Sequence, residues 1–128
     1  MLRRTALTTA LLATAALAPA AAHATFGHGA RLGGQPTMVQ VDAHHATLEF
    51  ASDRLPRTAG GAVDARIRFA GGQRVSGLTP VGRHGYDVRY QAKVTSQSAL
   101  RAGAKYTVRI SLPGSATVTR LVTLHAAS

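Results

Sequence analysis

Apolar and polar residues alternate with period two along most of the chain. Val63, Ala65, Ile67 and Phe69 fall on one parity, with Asp64, Arg66 and Arg68 on the other. Tyr86, Val88, Tyr90, Ala92 and Val94 interleave with Asp87, Arg89, Gln91 and Lys93, and Tyr106, Val108, Ile110 and Leu112 with Thr107, Arg109 and Ser111. Side chains on a strand point alternately to opposite faces, so these runs predict three half-buried strands. Shorter runs predict further strands over Met38–Asp42, Ala46–Ala51, Gln73–Thr79 and Thr117–His125. The last is ambiguous, because the parity of Val118, Val122 and Leu124 also carries Arg120 inward and leaves Leu121 outside; a bulge would resolve this. Gly71-Gly72, Gly82–Gly85 and Pro113-Gly114-Ser115 supply turns, Ser98–Gly103 suits one helical turn, and Ser52–Ala62 is a long loop.

About seven short strands with frequent turns predict an all-β domain, an immunoglobulin-like antiparallel β-sandwich, with a small barrel as the alternative. With 45% of its residues hydrophobic, the chain has the material for a core.

The first residues follow a different rule. Met1-Leu2-Arg3-Arg4 is a positive lead, Ala6–Leu17 contains only Ala, Leu and Thr, and small residues follow Pro19. This is the layout of a cleaved secretory signal peptide over 1–24, with a second acceptable cut after Ala22. The apolar run is too short and too rich in Ala and Thr for a permanent span, so the mature chain is expected to lack an integral membrane segment and to reside in a bacterial periplasm. A flexible His- and Gly-rich segment is expected over 25–36 and the β-sandwich over 37–128.

Composition narrows the chemistry. The chain has no cysteine, which removes disulfides, thiolate metal sites and a thiol nucleophile. Fifteen Lys and Arg against five Asp and Glu give a formal charge of +10, two units of which leave with Arg3 and Arg4. No Gly-x-Ser-x-Gly elbow, His-Glu-x-x-His pair or phosphate loop is present, so the chain does not read as an enzyme.

Histidine is concentrated near the processed end: His23, His28, His44 and His45, with Met38 among them. Imidazole suits copper and zinc, and a thioether adds affinity for Cu(I). On a regular strand His44 and His45 would point oppositely; in a turn between Val41 and Thr47 they could converge. Asp42 and His44 are two apart and form a possible ligand pair, whereas His45 and Glu49 are about 13 Å apart at strand rise, too far for one ion. If the cut precedes His23, a free α-amine and ring nitrogen would add a chelate for Cu(II).

Gly27–Gly34, then Val39, Val41, His44-His45 and Leu48-Glu49-Phe50, resemble the opening of small periplasmic β-sandwich proteins that accompany heavy-metal efflux systems. Leu100-x-x-Gly103-x-x-Tyr106-Thr107-Val108 is similar to the last strands of the periplasmic copper-resistance protein C family. The Asp-x-His found near the end of that family is missing, since Ser115–Thr119 contains neither residue. The resemblance implies metal handling by His28, His44 and His45, with a copper or zinc ion as the cofactor and an envelope efflux or uptake component as the partner.

Arg66, Arg68, Arg89, Lys93 and Arg109 all lie on the polar parity of their strands and suggest one basic sheet face. Its expected partner is an acidic envelope component or anionic surface rather than nucleic acid, because Tyr86, Tyr90 and Tyr106 share the inward parity and leave no stacking platform.

Overall fold

The computed structural model describes residues 29–127. They form seven strands and no helix: β1 Thr37–Asp42, β2 His45–Ser52, β3 Arg66–Phe69, β4 Arg74–His84, β5 Asp87–Thr95, β6 Lys105–Ser111 and β7 Val118–His125. The all-β class agrees with the hydrophobic alternation, and the strands fall in the expected regions, although β3 begins at Arg66 rather than Val63 and β4 continues to His84 rather than ending at Thr79. Hydrogen bonding runs through one mixed sheet in the order β3-β6-β7-β1-β2-β5-β4. Every pairing is antiparallel except the short parallel joint of β1 with β7, Met38 opposite Leu124 and Val39 opposite His125.

Chain connectivity makes this sheet curl. Its two edge strands, β3 and β4, are consecutive in sequence and joined by only Ala70–Gln73. A flat seven-stranded sheet would separate its edges by about 29 Å at about 4.8 Å per strand. From Phe69 to Arg74 the chain can reach only about 17 Å fully extended. The sheet therefore closes toward itself as a half-barrel with the apolar parity inside.

Inside lie Met38, Leu48, Val94, Val108, Ile110, Val122 and Leu124, all essentially inaccessible to solvent. Fully burying each such side chain stabilises the fold by about 1.5–3 kcal/mol. Phe50 and Tyr90 are directly opposed on β2 and β5, and their rings stack with centroids 5.7 Å apart. Two register shifts distort β4, between Ser76 and Thr79 and between Pro80 and Gly82. Pro80 is tolerable because β4 is an edge, and the distortions disfavour pairing with another chain.

Several local expectations change. No register shift interrupts the β6–β7 ladder; Leu121 simply faces outward, more than half exposed, and Arg120, opposite Val108, is half-buried on the parity of Val118, Val122 and Leu124. Ser98–Gly103 forms bends and a turn rather than a helical turn, with Ala104 N–H donating to Arg101 O at 3.0 Å and Gly103 at φ 88°. The expected Gly82–Gly85 turn contracts to Gly85-Tyr86, since His84 already pairs with Asp87. Gly85 takes φ 66°, as a two-residue hairpin turn requires. Strand alternation therefore starts one residue later than expected, and Tyr86, placed inward by parity, is 99% exposed at the hairpin tip.

Residues 30–33, within the lead-in expected to be flexible, are bonded to the sheet. Ala30 N–H donates to Pro113 O at 3.0 Å, Gly33 N–H to Ala51 O at 2.8 Å, and Arg31 N–H to the Asp53 carboxylate at 2.9 Å. The expected signal peptide lies outside the described residues, as do His23 and His28. Among the described residues no helix is long and apolar enough to cross a membrane.

Candidate metal centre

The β1–β2 hairpin turns over Ala43-His44, because Asp42 pairs directly with His45. Asp42, a residue that bonds readily to backbone N–H groups two positions ahead, fixes this turn. Its Oδ1 accepts the His44 backbone N–H at 2.8 Å, and its two carboxylate oxygens lie 2.8 and 3.0 Å from His45 Nδ1. These bonds hold the Asp42 carboxyl below its ordinary value of 3.8, the His44 backbone N–H being the largest cause and the His45 ring the next.

His44 is anchored elsewhere. Its Nδ1 lies 3.0 Å from Ser96 O, while its own carbonyl accepts from Ser96 N–H at 2.9 Å. Ala43 O accepts from Leu100 N–H at 2.6 Å, and Gln40 Nε2 donates to both Asp42 O and Leu100 O. The turn is thereby laced to the β5–β6 connection.

These contacts fix both tautomers. A carbonyl and a carboxylate can only accept, so Nδ1 carries the hydrogen in each ring. In each neutral imidazole the free lone pair then sits on Nε2. An outer acceptor bonded to one ring nitrogen while the other stays open is the arrangement that orients histidines for metal binding. Both residues are exposed, so an ion could reach them.

The other candidates fall differently. Asp42 is committed to the two histidines and serves as an orienting acceptor rather than sharing a face with His44. Met38 is fully buried in the core and its sulfur is closed to an exposed ion at the hairpin. Glu49 bonds Gln91 Nε2 at 3.0 Å and pairs with Arg89 at 3.5 Å, away from the histidines. Among the described residues no group of three His, Cys, Asp or Glu gathers as a metal site. His44 and His45 are thus neighbouring exposed imidazoles anchored on different acceptors, Ser96 O and the Asp42 carboxylate, and an ion held there would require further ligands.

The basic positions divide between two wings of the sheet. Arg68 and Arg109 are directly opposite on β3 and β6, both exposed, with Arg66 opposite Ser111. Arg89 and Lys93 lie on β5, with β7, β1 and β2 between β6 and that strand. The wings make two basic patches, and the Glu49 carboxylate partly neutralises the second. Another cationic group escapes notice in the sequence, because its members are separate in the chain. Arg54, Arg57 and Arg83 line one groove with Leu55, Val63, Pro80, Gly82, Val88 and Tyr90. Ser96, which anchors His44 from a segment about fifty residues away, carries no sequence signal either.

Comparison with known protein families, curated proteins and solved structures yields no match.

Proposed function

We propose that this chain is a non-catalytic metal-binding protein of the bacterial periplasm, holding copper or zinc at the β1–β2 hairpin. In this reading it is exported by a cleaved signal peptide, and it buffers or delivers the ion beside an envelope efflux or uptake component. The observation that carries the reading is a pair of sequence-adjacent exposed histidines, each with Nδ1 against a fixed acceptor, which makes Nε2 the lone-pair nitrogen of the neutral ring. In this reading the further ligand is His28, outside the described residues, with His23 added if the processed chain retains it. Copper and zinc both accept neutral imidazole, and Cu(II) binds such sites more tightly than Zn(II) by the ordinary order of divalent affinities. The same reading takes the curled sheet as immunoglobulin-like, with β1, β2, β5 and β4 facing β3, β6 and β7, and related to the periplasmic copper-resistance protein C family.

Titrating the exported, processed protein with Cu(II), Cu(I) and Zn(II) tests the proposal. The wild type should bind at least one of them about tenfold or more tightly than a His44→Ala/His45→Ala variant. Equal affinity ends it. The intact mass of the exported protein fixes its first residue, and with it whether His23 is available.

A second reading draws on the Arg68–Arg109 register. Two exposed guanidiniums directly opposed across a ladder favour an acidic envelope partner that screens them. Such docking weakens steeply as salt rises, because exposed charges are screened within about 8 Å at physiological ionic strength. Binding that ignores salt, or that survives Arg66→Ser/Arg68→Ser/Arg109→Ser, removes this reading.

A further inference from the structure

The groove that collects Arg54, Arg57 and Arg83 lies between the β2–β3 connection and the β4–β5 hairpin, and has a volume of about 230 Å³. Its apolar lining is made by Leu55, Val63, Val88 and Tyr90, each at most 8% exposed. Its charged lining residues have one sign: three arginines and no acidic residue. Among the described residues the ion pairs are Asp42 with His45 and Glu49 with Arg89, so none of these three arginines is neutralised by an acidic side chain.

The loop that presents two of them is braced. Arg57 and Val63 form a β-bridge, Thr58 N–H donates to Ala62 O at 2.7 Å, and Asp64 N–H donates to Pro56 O at 2.8 Å. Arg57 Nη1 donates to Gly61 O at 2.8 Å, which orients that guanidinium. Leu55 N–H donates to Tyr90 Oη at 2.8 Å and ties the loop to the groove wall. Such a loop loses little conformational freedom when a ligand arrives.

We propose that this groove binds a small amphipathic oxyanion, its carboxylate or phosphate group held by Arg54, Arg57 and Arg83 and its short apolar body lying on Leu55, Val63, Val88 and Tyr90. Planar guanidinium forks match both oxyanions by paired hydrogen bonds. The volume is below the roughly 300–1,000 Å³ of sites for drug-sized ligands, which limits the ligand to a head group with a few carbons. This site shares no residue with the histidine hairpin and stands independently of the metal reading.

Butyl phosphate, butanoate, inorganic phosphate and butanol are the probes, titrated at low salt against the exported protein while backbone amide NMR signals are followed. Shifts should concentrate at Leu55, Val63 and Arg83 for butyl phosphate or butanoate, and whichever binds more tightly identifies the head group. Butyl phosphate should bind about tenfold more tightly than inorganic phosphate, the effect of burying two methylenes. Arg54→Gln/Arg83→Gln should weaken binding at least tenfold, while Arg101→Gln, at an exposed position outside the groove, leaves it unchanged. Both altered positions are exposed, and an unchanged urea midpoint confirms that the fold persists. Equal binding of inorganic and butyl phosphate, shifts centred on Arg68 and Arg109, an undiminished double variant, or no binding of either organic anion would each overturn the proposal.

Discussion

Asp42 Oδ1 lies 2.8 Å from Nδ1 of His45, and the same oxygen accepts the backbone N–H of His44. One carboxylate therefore closes the hairpin turn and orients an imidazole. Asp42→Asn removes the charge from both contacts. In the metal-binding reading, losing such an outer-shell acceptor should lower affinity about 10- to 100-fold without touching a ligand atom. Isothermal titration of the variant with Cu(II) and Zn(II) measures this, and an unchanged affinity separates the carboxylate from the site.

The same pair makes a pH prediction. The folded carboxyl is held below its ordinary 3.8, so its contribution to stability is fully present above the unfolded value and is lost as pH falls through the folded one. The His44 backbone amide and Asp42 carboxyl-carbon signals should show no carboxylate transition until pH falls into the ordinary carboxylate range. They should then move together with a midpoint below 3.8. NMR titration from about pH 6 to about pH 2 covers this window. In Asp42→Asn the shared transition should disappear.

The backbone of Gly29 in the lead-in packs against Gly114 in the β6–β7 turn. A Cβ on Gly29 would overlap the Gly114 carbonyl and crowd Ser115 Oγ, and one on Gly114 would lie 3.0 Å from Gly29 Cα. Gly114 also has φ 74°, which L side chains seldom adopt. Gly29→Ala should push the lead-in off its bonds to Pro113 O and Ser115 Oγ. The expected loss of stability is about 0.5–3 kcal/mol by urea denaturation, with faster hydrogen exchange at Ala30. Because the two positions share one contact, the Gly29→Ala/Gly114→Ala pair should cost less than its separate changes combined.

Tyr90 Oη gives the buried Leu55 N–H its acceptor. Tyr90→Phe keeps the ring stacked on Phe50 but leaves that donor unsatisfied, at a cost of about 1–3 kcal/mol. The Leu55 amide should exchange faster in the variant while amides in the β6–β7 ladder keep their relative protection. Uniformly altered exchange would assign the loss to core packing instead.

The strands were legible because one-sided burial imposes period two, and this pattern is local. Val108 and Ile110 against Arg109, or Leu48 and Phe50 against Glu49, state their faces without reference to any distant residue. Tyr86 misleads because parity extends a strand through a turn that only the His84–Asp87 pairing reveals. The joining of β1 to β7 rests on two residue pairs some eighty-six positions apart and leaves no local pattern. At the hairpin, histidine content was visible but the anchoring was not. Ser96 O and the Asp42 carboxylate become partners only when the β5–β6 connection folds against the turn. The grouping of Arg54, Arg57 and Arg83 is likewise a product of tertiary structure, since Arg83 belongs to an edge strand and the others to a loop.

Arg68 and Arg109 face each other across the β3–β6 ladder, where side chains of directly opposed residues are about 4.5–5.5 Å apart at Cβ. Like charges in that position oppose folding, and solvent exposure keeps the penalty small. Arg109→Glu should convert repulsion to attraction and stabilise the fold by about 0.2–1 kcal/mol at low salt. Arg68→Glu should act in the same direction. The double reversal restores a like-charge pair and should return stability toward the wild type. Urea midpoints at low and high ionic strength measure all four proteins, and the differences should shrink as salt screens the pair. In the acidic-partner reading the single reversals also weaken docking. A variant that folds more stably while binding its partner less well would mark this repulsive pair as retained for recognition rather than for the stability of the sheet.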